Sequence, residues 1–229
     1  MLAAHSLLAT PMTLAIFDLD NTLIGGDSDN LWGKFVCDRG LVDAEEFGAR
    51  NDQFYRDYQA GTLDIDAYLR FALSPLIGQA PEVIDAWHRD FMTTVIEPIL
   101  LPAADELIDR HRRAGHHPLI ITATNAFITR PIATRLGIED LIACEGEIIN
   151  GRYTGEPLGI PSYAFGKVTR LQAWLEHSGE SMEGAWFYSD SHNDLPLLER
   201  VANPVAVDPD DRLRAHAETA GWEIITLRA

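Results

Sequence analysis

Basic side chains are scarce in this chain. Its 229 residues carry 18 Lys and Arg against 35 Asp and Glu, a formal net charge of -17 at pH 7. So acidic a chain repels nucleic acid backbones and anionic bilayer surfaces, and neither is expected as a partner. Cysteine is nearly absent. Cys37 and Cys144 make neither a disulfide framework nor a metal-type spacing, and free thiols in a reducing cytoplasm are the expected state. No apolar run reaches membrane-spanning length. The stretch from Met1 to Pro11 is mildly apolar but lacks a basic n-region and a cleavage site, which argues against a secretory signal. Met12 directly precedes the first strand-like run, so it is the expected start, with residues 1–11 as a dispensable tail. Internal repeats and low-complexity tracts are also lacking.

What remains is an ordinary globular composition, 46% hydrophobic and 23% charged, in a chain long enough for one α/β domain with an inserted lobe. Strand-like apolar runs fall at 13–18, 119–122, 141–144, 185–188, 204–207 and 223–227. Helix-like stretches at 103–114, 129–136, 164–177, 194–201 and 210–220 separate most of them. Such alternation predicts a three-layer, Rossmann-like parallel sheet covered on both faces, with ligands beyond the carboxyl ends of its strands. Asn150-Gly151 between two short alternating runs predicts a hairpin.

Residues 27–100 break the alternation, because they carry only helical signals. Asp43 with Glu46 forms a capping box, Gly61 can close the helix that follows, Asp64 can cap the next, and Pro81 suits a first turn. Val83, Trp87, Phe91 and Val95 recur every four residues and predict one apolar face. The expected organisation is therefore a discontinuous core, 12–26 with 101–229, and a helical cap domain over 27–100.

Four segments could carry chemistry. In Ile16-Phe17-Asp18-Leu19-Asp20-Asn21-Thr22, two aspartates at i and i+2 follow an apolar run. On a strand that spacing points both carboxylates the same way, and their repulsion suits one ionised nucleophile beside one general acid/base. Thr122 ends a second apolar run and could bind a phosphate oxygen, aided by backbone N–H groups of the loop that begins at Ala123, although strands often end in threonine. Lys167, near a helix start, stands out in so acidic a chain, yet alone it reads as a solvated surface residue. Asp190 and Asp194 follow a further strand-like run and offer hard oxygen donors suited to Mg²⁺, while Asp194 also reads as a helix cap. His192 between them reads as a loop histidine, since Mg²⁺ prefers oxygen. All four segments lie at strand ends or helix starts, so all could converge on one rim of the sheet.

Asp-Leu-Asp-Asn-Thr at 18–22, Thr122, Lys167 and Asp190-Ser-His-Asn-Asp194 together resemble the four motifs of the haloacid dehalogenase-like hydrolases, across nearly the whole chain. The insert directly after the first motif resembles that superfamily's first type of cap. Residues 189–195 and 203–209 are similar to the branch that contains phosphoserine phosphatase (subfamily IB). Asp-Leu-Asp-Asn-Thr-Leu with Gly-Asp-Ser-Asp at 26–29 resembles a bacterial subgroup that includes histidinol-phosphate phosphatases.

The resemblance implies a phosphatase acting on a small phosphate monoester through an aspartyl-phosphate on Asp18, with Asp20 as acid and then base. It implies Mg²⁺ held by the Asp18 carboxylate, the Asp20 carbonyl and Asp190. It implies Thr122, Ala123, Lys167 and Asn193 around the phosphoryl group and Asp194 supporting them. An aspartate at position 20 favours phosphatase or phosphotransferase chemistry over dehalogenation.

Substrate choice would lie in the cap. Asp27 occupies the place of an acid that binds the substrate amine in phosphoserine phosphatases, and it equally reads as a helix cap. Their carboxylate-binding arginine would fall near Phe71 and Ala72, which makes Arg70 the candidate here. Without that arginine, an amine lacking a carboxylate fits better. Histidinol phosphate is such a molecule and is placed ahead of phosphoserine. A phosphotransferase and a non-catalytic regulatory module are the other readings.

Overall fold

A computed structural model describes residues 12–228 of the chain. The expected dispensable tail, residues 1–11, lies outside the described residues.

The chain opens with β1 (Thr13–Phe17) and then leaves the sheet for a long helical excursion. That excursion holds α1 (Ser28–Asp38), α2 (Ala44–Ala60), α3 (Ile65–Leu73) and α4 (Pro81–Phe91), the last running on into a π turn at Met92–Ile96. The chain then alternates: α5 (Pro102–Arg113), β2 (His117–Asn125), α6 (Ala126–Arg135), β3 (Asp140–Ile149), β4 (Arg152–Leu158), α7 (Phe165–Ser178), β5 (Ser181–Ser189), α8 (Leu195–Leu198), β6 (Asn203–Val207), α9 (Asp211–Ala220) and β7 (Glu223–Ile225). Among the described residues seven strands form one sheet in the order β4-β3-β2-β1-β5-β6-β7. It is parallel except for the β3–β4 hairpin, as the alternating pattern predicts.

β1 lies at the centre of the sheet, and its side chains alternate between two cores. Ala15 and Phe17 face α5 and α6, with Leu107, Ile108, Ile128 and Ile132. Leu14 and Ile16 face α7 to α9, with Leu171, Leu198 and Leu213. Leu14, Ile16 and Phe17, all fully buried, contribute about 1.5–3 kcal/mol each. The register sets Phe17 beside Ile120 of β2 and Tyr188 of β5, so the residues that follow all three strands emerge on one rim.

The insert shows why its helices stop and start where they do. Asp27, Asp43 and Asp64 each accept a hydrogen bond from a first-turn backbone N–H, and Gly61 closes α2 in the left-handed region at φ 73°. α1 and α2 approach so closely that a Cβ at Gly33 would lie 2.2 Å from Asn51 Oδ1. The predicted stripe of α4 needs correction at one end. Phe91 is buried, but Val83 is 38% exposed, and Ile84 and His88 take the inward positions. Steps of four residues drift by ~40° each on a 3.6-residue helix, which carries Val83 off the face that holds Phe91.

The hairpin turn stands as predicted, with Asn150 at φ 51° and Gly151 at φ 73°. Its edge strand is covered by the insert: Gly78 N donates to Tyr153 O and Tyr153 N to Gln79 O. The two ends of the insert meet at one point. Ile24 and Leu100 form an antiparallel bridge, and Gly25 N donates to Ile99 O at 2.7 Å. Among the described residues no helix is long and apolar enough to cross a membrane, and Cys37 and Cys144 are free thiols.

Candidate active site

The first site residue leaves β1 under backbone control. Asp18 N donates to Tyr188 O at 2.9 Å, and the chain then turns tightly, with Leu23 N donating to Leu19 O at 2.9 Å and Asn21 N to Gly26 O at 3.0 Å. Asn21 sits at φ 56°, a conformation that asparagine tolerates better than most residues. This loop brings Asp18 and Asp20 to the rim beside the end of β2.

The two carboxylates are held by different partners. Lys167 Nζ donates to Asp18 Oδ1 and to Asp194 Oδ2, each at 2.7 Å, and all three side chains are buried. Ser189 Oγ donates to the same Asp194 oxygen at 2.7 Å. Asp20 accepts from Ser28 N on Oδ1 at 2.6 Å and from Thr124 Oγ1 on Oδ2 at 2.8 Å. Asp190 Oδ1 accepts from Thr22 Oγ1 at 3.1 Å. Thr122 is buried at the end of the regular part of β2, and its hydroxyl accepts from Thr124 N at 3.2 Å. Asp18, Asp20, Thr122, Ala123 and Thr124 line one wall of a cavity that the insert roofs.

Burial dominates the electrostatics. It pushes Asp18 up to about 7 although Lys167 pulls the other way. It pushes Asp20 up to about 6, with Asp27 adding and the Ser28 and Thr124 donors opposing. Burial also raises Asp190 well above the usual carboxylate range, reinforced by Asp18 and Asp194. Burial alone would lower Lys167, but Asp18 and Asp194 outweigh it and keep the ammonium charged.

Asp18 and Asp194 share one lysine, and two further acids lie close by: Asp20 acts on Asp18, and Asp190 feels both Asp18 and Asp194. Among the described residues no three His, Cys, Asp or Glu side chains gather into a closed metal cage. The expected donor set asks for only two carboxylates and a carbonyl. A surplus of buried oxygen donors with negative charge fits a hard divalent cation.

Arg70 lies away from the cavity, and Asn193 bridges the rim to the insert. Arg70 donates through Nε to Glu156 of β4 at 2.9 Å, in an exposed pair outside the cavity lining. Asn193 commits its amide between the insert and the core, donating to Tyr58 O at 3.1 Å and accepting from Tyr163 Oη at 3.2 Å. These two bonds tie the roof to the rim loop. His192 is the expected loop histidine, paired to Asp210 Oδ2 at 2.8 Å. Asp27 caps α1 and also lines the cavity. Thr124 was not singled out from the sequence; the signal for it is a second hydroxyl two residues beyond Thr122 on the same strand.

Comparison with known proteins agrees with this arrangement. The family model described as haloacid dehalogenase-like hydrolase matches residues 15–199. A histidinol-phosphatase of Neisseria meningitidis is 47% identical over 94% of this chain and 99% of its own. Phosphoserine phosphatase SerB1 of Mycobacterium tuberculosis is 31% identical over 93% of this chain and 70% of its own. Among solved structures, a protein of unknown function from Bordetella pertussis matches at TM-score 0.89 and 41% identity, covering 95% of this chain and 100% of that one. A phosphoserine phosphatase in a phospho-aspartyl analogue state shares the fold at TM-score 0.69 and 17% identity, covering 96% and 95%. With the paired carboxylates, the buried lysine and these similarities together, the chain belongs to the haloacid dehalogenase-like hydrolase family and is a phosphatase.

Proposed function

We propose that the protein hydrolyses histidinol phosphate with Mg²⁺, through an aspartyl-phosphate on Asp18. The observation that carries the chemistry is the pair Asp18 and Asp20 at one strand end, the first locked to Lys167 and the second to Thr124 and Ser28 N. Lys167 takes Asp18 Oδ1 and leaves Oδ2 to attack phosphorus in line. The bond from phosphorus to the alcohol oxygen breaks, and Asp20 gives that oxygen its proton. Asp20 then takes a proton from a water whose oxygen bonds to phosphorus. The Asp18–phosphorus bond breaks, inorganic phosphate leaves and both carboxyl groups are restored. A carboxyl pushed up to about 6 can both give and accept a proton near neutral pH. Thr122, Lys167 and the backbone N–H of Ala123 bind the phosphoryl oxygens. The carboxylates of Asp18 and Asp190 and the Asp20 carbonyl hold Mg²⁺, which when bound supplies positive charge to offset the phosphoryl oxygens.

Residues 27–100 act as the cap domain that selects the leaving group, over a core of 12–26 and 101–229. The cap lines the cavity with Asp27, Asp29 and three tyrosines, and no Lys, Arg or His is among the lining residues described. Arg70, the candidate carboxylate receptor, is turned to Glu156. Such a roof suits a leaving group with an amine and no carboxylate, as in histidinol phosphate, and disfavours phosphoserine. The free thiols of Cys37 and Cys144 fit a reducing compartment, the cytoplasm.

Initial rates on histidinol phosphate and phosphoserine at saturating Mg²⁺ test this reading. The expected result is a clear preference for histidinol phosphate. Equal, poor rates on both overturn the substrate and leave the reaction class standing. Chelation with EDTA is expected to abolish turnover and added Mg²⁺ to restore it, with inorganic phosphate as the product even when an acceptor alcohol is present.

A further inference from the structure

Asp27 and Asp29 both face the cavity from the insert, but they are not equivalent. Asp27 is committed to the start of α1: its Oδ1 accepts from Asn30 N at 2.8 Å. Burial raises its pKa, while the backbone N–H groups of Asn30 and Asp29 and the charge of Lys34 oppose that rise. Asp29 is 6% exposed, forms none of the ion pairs among the described residues, and lines the cavity with Tyr68 of α3, whose hydroxyl favours its charged form. Asp27 and Asp20 add negative charge to it. A buried carboxylate with one phenol donor and no cation is costly unless an opposite charge completes it.

A second observation points into the same space. Asn30 is 6% exposed and lines the cavity, and its Nδ2 has no hydrogen-bond partner. The backbone beneath it is held, because Asn51 Nδ2 donates to the Asn30 carbonyl at 3.0 Å. One wall thus holds an acceptor without a cation and, next to it, a donor without an acceptor. Phe54, Tyr55, Tyr58 and Tyr68 supply flat apolar surface around both. A ligand that satisfies this wall carries a cationic amine and a neutral hydrogen-bond acceptor on an unsaturated or apolar body.

We propose that Asp29, oriented by Tyr68, is the specificity-determining residue that receives the cationic amine of the leaving group. Asn30 donates to a neutral acceptor on the same group, and Asp27 serves as the helix cap. This rests on the reading of the protein as a phosphatase whose insert selects the leaving group. It narrows the substrate class to phosphomonoesters of amino alcohols that bear a second, uncharged acceptor.

The test is the ratio of kcat/KM for histidinol phosphate to that for an aryl phosphate without a cation, in the full chain with Mg²⁺. Asp29→Asn is expected to lower this ratio about tenfold or more, the worth of a charge-assisted hydrogen bond. Tyr68→Phe is expected to lower it by a smaller factor, and it carries the test if Asp29→Asn fails to fold. Asp27→Asn keeps a capping oxygen and is expected to move the ratio by no more than about twofold. A parental ratio in folded Asp29→Asn or Tyr68→Phe overturns the assignment, as does a loss that appears in Asp27→Asn instead. If the parent does not turn over histidinol phosphate, the substrate proposal fails on its own. The Asp29 assignment is then judged on 2-aminoethyl phosphate against propyl phosphate, and absence of any preference for the charged ester overturns it.

Discussion

The cavity has a wall built by the sheet and a wall built by the insert, and both carry buried acids. On the sheet wall, Asp18 shares Lys167 with Asp194, and Asp20 is gripped by a hydroxyl and a backbone N–H. On the insert wall, Asp29 has a tyrosine hydroxyl, and the Asn30 amide beside it has an unpaired donor. The first wall is nearly complete before anything binds, as a reaction centre must be to avoid reorganising during the reaction. The second is completed by what enters. Chemistry is preorganised where the strands end, and selectivity is left open where the helices begin.

The most severe way to break this contrast is at Asp18. Asp18→Asn is expected to lower kcat by at least ~10³-fold while the protein stays folded, as read by steady-state rates beside a thermal melt. Normal activity in this variant would sink the mechanism. Next comes Lys167→Met, which leaves Asp18 and Asp194 buried without their shared cation. A loss of about 3 kcal/mol in urea unfolding is expected, together with loss of turnover. A variant as stable as the parent would show that these acids are not held by charge pairing.

Thr124→Val removes one of the two donors on Asp20 and is expected to lower kcat about tenfold with little change in KM. A change in KM alone would move Thr124 to the substrate side of the contrast. The smallest effect lies below both walls. His111 is buried between Tyr188 and His116, and burial holds it down at about 4 against an ordinary value of 6.5. The unfolded chain takes up this proton near 6.5 and the folded chain only near 4. Stability from neutral His111 is therefore present above pH 6.5 and lost as pH falls toward 4. Melting temperature is expected to fall across that window less steeply in His111→Gln than in the parent. An identical slope would show that His111 does not carry the acid sensitivity; the rim carboxylates, raised by burial, bind protons more readily in the folded chain and act in the opposite direction.

The parts of the molecule that were legible in the sequence are those set by short-range periodicity. The hairpin could be placed because Asn150-Gly151 accepts left-handed backbone, and Asp18 at a strand end because an apolar run stops there; Asp20, however, lies in the turn past β1, so the loop rather than strand alternation sets it beside Asp18. The helix boundaries at Asp43, Gly61, Asp64 and Pro81 follow from local capping chemistry. Long-range pairing was not legible. Nothing near Thr124 in the chain says that its hydroxyl meets a carboxylate 104 residues away. Arg70 shows the helical version of the same limit. Tyr68 and Arg70 are two residues apart on α3, about 200° around the helix, so only one of them can face the cavity. Tyr68 does, and Arg70 meets Glu156 on the other side. Asn193 lies in the loop after β5, and its amide meets Tyr58 O, a partner that only the packed insert supplies.

The bridge between Ile24 and Leu100 has a consequence for how such a molecule can change. Because the chain departs from the core and rejoins it at one point, the sheet experiences the whole helical excursion as a short closed turn. Closure entropy grows only slowly with loop length, so changing the length of the excursion adds little closure cost, as long as Trp32, Phe35 and Phe91, which pack in one cluster with Phe17 and Ile128, are kept at its base. Strand register and the Lys167 pair need not be rebuilt when the roof is replaced, provided the first residues of the excursion keep Ser28 N on Asp20. The structure thus behaves as an interchangeable socket, in which a new leaving-group preference can be fitted by grafting at the neck.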